Sequence, residues 1–155
     1  MIDVACQVAC DGPSLPDESA VTRWVEAALA GRCDEADVVV RIAGTEEARA
    51  LNRDYRGRDY ATNVLSFPFE APPGFDATPE LGDLVICADV VAREADEQHK
   101  PVQDHWAHLV IHGTLHLLGY DHIEEAEAEV MEGLEREILA ALGIPDPYRD
   151  ETASL

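Results

Sequence analysis

The stretch Ile111-His112-Gly113-Thr114-Leu115-His116-Leu117-Leu118-Gly119-Tyr120-Asp121-His122 constrains this chain more than any other. His112 and His116 are four residues apart, so on a helix both imidazoles leave from one face. That spacing lets both reach one metal ion. Gly119 offers a helix stop, because a residue without a Cβ takes the left-handed conformation at little cost. The chain can turn there and return His122 to the same ion. The expected site is one Zn2+ held by His112, His116 and His122. Three protein ligands leave a fourth position open, which is the arrangement of catalytic rather than structural zinc. Imidazole also suits nickel, copper and iron, so the spacing alone leaves the metal open.

His112, His116, Gly119 and His122 occupy the frame of the metzincin pattern H-E-x-x-H-x-x-G-x-x-H. One position departs: Gly113 stands where those proteases carry the glutamate that acts as general base. The metal ligands are kept and the peptidase base is missing. The run H-G-T-L-H-L-L-G-Y-D-H closely resembles the signature of the YbeY family, bacterial metal-dependent endoribonucleases of ribosomal RNA maturation. Leu51-Asn52-Arg53-Asp54-Tyr55-Arg56-Gly57, Thr62 to Pro68, and Gly82-Asp83-Leu84-Val85-Ile86 resemble that family too. The resemblance spans nearly the whole chain.

It implies a zinc-dependent endoribonuclease specific for single-stranded RNA. The implied roles are processing of the 16S rRNA 3′ end and ribosome quality control. The implied partners are ribosomal RNA, the ribosome and ribosome-assembly proteins. Arg56 falls on the arginine of the Y-R-G match and is the expected phosphate-binding catalytic residue. A guanidinium fork pairs with phosphate oxygens and stabilises the charge that grows on them. Asp121 is the nearest carboxylate, expected to orient a ligand such as His122 or, alternatively, to act as base. Whether water or the RNA 2′-OH attacks is left open. Two rival readings are a ribosome-assembly binding factor with a structural metal, and a metallopeptidase. His108 is read as a packing or ligand-supporting residue rather than a fourth ligand, and His105 as structural.

A net charge of −21, with 32 acidic residues against 11 basic ones, opposes RNA at long range. Screening over about 8 Å at physiological salt makes the local field decisive. The acids crowd from Glu124 to Glu137, while arginines gather at 53, 56 and 58. A basic mouth on an acidic body is the expected distribution. The 155 residues suit a single domain over 1–155. No apolar run is long enough to span a membrane and no signal peptide is visible, so the cytoplasm is the expected compartment. Cys6, Cys10, Cys33 and Cys87 form no C-x-x-C pair and read as thiols, not a disulfide framework.

Period-two or β-branched segments predict strands over 2–9, 37–43, 63–69 and 83–87. Helices are expected from Pro16 to Gly31, from Gly44-Thr45 to Asp54, after a cap at Asp89, from Pro101 to Leu118, and from Ile123 to Leu142. In the last of these, Val130, Leu134, Ile138 and Leu142 form the expected core stripe. The fold class is α+β: a small mixed four-stranded β-sheet packed by helices, with a zincin-like metal helix.

Overall fold

The computed structural model describes residues 2–10, 15–69, 80–120 and 125–145, with the backbone alone at Glu125. Asp121, His122, the loop expected from Ala71 to Pro79 and the tail from Asp146 lie outside the described residues. In chain order the elements are β1 (Ile2–Val8), α1 (Glu18–Leu29), β2 (Ala36–Ala43), α2 (Thr45–Arg56), β3 (Val64–Pro68), β4 (Glu80–Cys87), α3 (Ala88–Glu97), α4 (Val102–Leu117) and α5 (Glu125–Ala141). None of these helices is long and apolar enough to cross a membrane.

The sheet order is β1-β2-β4-β3. β1 and β4 both run parallel to β2, and β3 runs antiparallel to β4 at the sheet's edge. The sheet is therefore mixed, as expected. Alternation decides its faces. Ala36, Val38, Val40 and Ile42 of β2, with Leu84 and Ile86 of β4, join the main core under α1, α4 and α5. Val85 and Leu65 point the other way and meet Ala43, Leu51 and Phe67, which places α2 on the opposite face.

Helix caps follow local chemistry. Asp17 caps α1 by accepting from the Ala20 N–H at 2.8 Å. Gly57, at φ 70, ends α2 in the left-handed conformation. Asp89 does not cap α3, contrary to the sequence reading: the cap position is Cys87, and Asp89 sits in the first turn, accepting from the Thr45 hydroxyl at 2.6 Å. A carboxylate there still complements the helix dipole.

α4 is central: it touches α1, α3, α5, β3 and β4. Gly113 lets it approach the sheet. A Cβ at that position falls 2.8 Å from Leu84 Cδ2 and 3.3 Å from Val64 Cγ2. Leu84 is fully buried, so its side chain would have to shift within a packed core. The missing peptidase glutamate thus has a steric reason, since position 113 faces the sheet. Gly113→Ala is expected to destabilise the fold by up to about 2 kcal/mol. Overpacking costs about 1–3 kcal/mol and the helix-propensity gain returns about 1. Thermal unfolding checks this, and a raised midpoint contradicts the close approach.

Candidate metal and RNA site

An open cavity of about 390 Å³ lies where α4 passes the edge strand. Its walls are β3 (Val64, Ser66), the turn before it (Thr62, Asn63), the end of α2 (Arg56) and the last turns of α4 (His112, His116), closed by Gly119 and Tyr120. The His112 and His116 rings stand 4.8 Å apart between centroids, as the i, i+4 spacing requires. Gly119, at φ 102, follows the helix end and turns the chain there. The structure therefore brings together His112, His116 and Arg56; Asp121 and His122 are outside the described residues.

Arg56 is exposed, and among the described residues no carboxylate pairs with it. Its neighbours are engaged. Arg49 pairs with Asp59 at 2.8 Å, Arg53 contacts Asp54 at 3.4 Å, and Arg58 donates to the Tyr60 hydroxyl at 3.2 Å. Of the three arginines expected to form a basic mouth, Arg56 is the one lining the cavity. The segment after it is tied down by buried Asn52, whose Nδ2 donates to the Tyr60 carbonyl at 2.8 Å.

Two carboxylates anchor the site from behind. The first is Glu94 of α3, which accepts from His105 Nε2 at 2.9 Å and from Asn63 Nδ2 at 3.0 Å. Burial raises the Glu94 carboxyl, but the bonds from His105 and Asn63 outweigh it and hold it below the ordinary range. The Asn63 Oδ1 accepts from the Val64 N–H at 2.7 Å. Both ends of this amide are thus used within the protein. Ser66 differs: its hydroxyl donates to the Gly113 carbonyl at 3.3 Å, and its oxygen can still accept.

The second carboxylate is Glu135 of α5, which is fully buried. Its Oε1 lies 2.5 Å from His112 Nδ1 and 3.5 Å from His108 Nε2. Burial pushes the His108 imidazole below its usual range, against the pull of Glu135. His108, His112 and Glu135 offer three metal-type donor atoms within 4.8 Å of one another. The sequence alone places Glu135 among the acids crowded from Glu124 to Glu137, apart from the site. The signal was its place four residues after Met131 and three before Ile138, both buried.

Fold and cavity together define an α+β domain with a histidine-lined pocket along its central helix. A family profile described as endoribonuclease YbeY matches residues 14–143. A protein named endoribonuclease YbeY from Alkalilimnicola ehrlichii is 69% identical over 138 residues, covering 87% of this chain and 83% of that one. One of the same name from Stenotrophomonas maltophilia strain K279a is 58% identical over 153 residues, covering 97% and 95%. The solution structure of TM1509 from Thermotoga maritima superposes with a TM-score of 0.57 at 23% identity, over 97% of this chain and all of that one, and so shares the fold. The chain belongs to the endoribonuclease YbeY family and is classed with its enzymes, which break RNA phosphodiester bonds.

Proposed function

We propose that the chain cleaves single-stranded segments of ribosomal RNA, processing the 16S 3′ end and serving ribosome quality control, with one zinc ion on His112, His116 and His122. The observation that carries this reading is the shared cavity, which His112, His116 and Arg56 line together. The donor set fits zinc: His112 and His116 present imidazoles one turn apart on α4, and Glu135 Oε1 lies against Nδ1 of His112, which directs the ring's other nitrogen toward an ion. When bound, zinc supplies a Lewis acid that polarises a phosphoryl oxygen and acidifies water.

The chain's own residues do the rest. Arg56 grips a non-bridging phosphate oxygen and stabilises the charge growing there. Asp121, beside His122 in sequence, orients that ligand. The Ser66 oxygen accepts from a ribose hydroxyl. An open cavity of about 390 Å³ has room for a splayed nucleotide, which suits single-stranded RNA. Ribosomal RNA, the ribosome and its assembly proteins are the partners, in the cytoplasm.

The test uses purified full chain of measured metal content, on a structured RNA with single-stranded ends and on casein. Cleavage of the single-stranded ends is expected, lost with a chelator and restored by zinc. Activity on casein alone, or RNA cleavage indifferent to chelation, overturns the reading.

A further inference from the structure

We propose that Glu135 is a positioning residue for His112: it fixes the imidazole in the Nδ1–H form and in one ring orientation, so that Nε2 faces the cavity. The inference deepens the zinc reading above and rests on it where metal affinity is concerned.

The geometry is specific. Glu135 is fully buried, and its Oε1 sits 2.5 Å from His112 Nδ1. With Glu135 ionised the carboxylate only accepts, and the shared hydrogen belongs to Nδ1. A neutral imidazole carries one N–H, which leaves Nε2 as lone pair. His112 lines the cavity with His116, whereas Glu135 and His108 do not line it. The ring thus joins two environments, a dry one holding the carboxylate and an open one where ion and substrate meet.

The alternative is that His108, His112 and Glu135 are themselves ligands of an ion. Their donor atoms lie within 4.8 Å of one another. The direct contact of 2.5 Å between Glu135 Oε1 and His112 Nδ1 favours a shared hydrogen over a shared cation. His108 Nε2, at 3.5 Å from the same oxygen, lends this buried carboxylate a second polar neighbour. Carboxylate–imidazole–metal chains of this kind raise ligand basicity and remove rotational freedom before the ion arrives.

The substitution that tests this is Glu135→Gln, which keeps shape but replaces an obligate acceptor with an amide able to donate. Imidazole nitrogen NMR on metal-free full-length protein reads the ring directly. The parent is expected to show His112 in the Nδ1–H form alone, and Glu135→Gln to show both neutral forms. Zinc affinity by chelator competition is expected to fall about 10–100-fold, with far-UV circular dichroism unchanged. Glu135→Asp withdraws the carboxylate by one methylene and is expected to keep the single form while losing affinity.

Parent-like tautomer and affinity in Glu135→Gln overturn the proposal. So does a second zinc per chain that disappears in both His108→Ala and Glu135→Gln, because Glu135 is then a ligand. The NMR result needs neither zinc nor RNA. A chain that binds no zinc therefore defeats the functional reading while this readout still decides the role of Glu135.

Discussion

His116→Ala is expected to give a folded chain with almost no bound zinc and no measurable RNA cleavage. His116 is half-buried on the last turns of α4, and alanine is the best helix former, so the fold keeps its stability. The metal does not. Zinc sites are held by about 10–16 kcal/mol; divided among three ligands, the loss is about 3–5 kcal/mol, roughly a 10²–10⁴-fold weaker site. His108→Ala removes an imidazole one ring further along the same helix, 6.1 Å from His112 between centroids. It is expected to keep most of the zinc. Elemental analysis of the two dialysed variants checks this, and equal losses overturn the assignment of His116 as a ligand.

Arg56→Ala is expected to do the reverse: zinc and fold stay, and cleavage falls. Arg56 is exposed at the end of α2, and the neighbouring turn is held by Gly57 and Asn52 rather than by its guanidinium. Removing one donor to a developing oxyanion costs about 2–4 kcal/mol of barrier, roughly 30- to 1000-fold in rate. Arg56→Lys should recover part of this, because an ammonium restores the charge without the fork. The measurement is single-turnover cleavage at saturating protein, with metal content checked in each variant. A parental rate in Arg56→Ala makes the residue a solvated helix end.

Local patterns were legible because their causes are local. The i, i+4 histidines needed only a helix, and β2 needed only β-branched alternation. The position of β3 was not local. It lies between β2 and β4 in sequence yet pairs outside β4. Nothing in its own five residues says which edge it joins.

α5 shows a different failure. A stripe through 130, 134, 138 and 142 is a valid helical face, and it excluded an acid. In the structure Ile138 is buried and Leu134 and Leu142 pack against the core, but Val130 is 57% exposed and the stripe left out the buried Met131, Glu135 and Leu139. An acid within the buried stripe made the correct face look polar. What stabilises that acid is an imidazole 23 residues earlier, which no window on α5 contains. Arg56, which lines the cavity, is a candidate through resemblance rather than composition, since a loop arginine and a phosphate-binding arginine look alike in sequence.

The pairing of Glu135 with His112 across 23 residues also orders events during synthesis. A chain emerges N-terminal end first and folds as its segments become available. At the moment α4 has emerged, the strands beneath it and the imidazoles along it exist, but α5 is still to come. The side of α4 destined for Met131, Ile138 and Leu139 is then uncovered, and His112 has no carboxylate behind it. The helix richest in surface acid is therefore the one that completes the pocket from within. On the role proposed for Glu135, a partly made chain carries His112, His116 and Arg56 without the carboxylate that orients the His112 ring until α5 has docked.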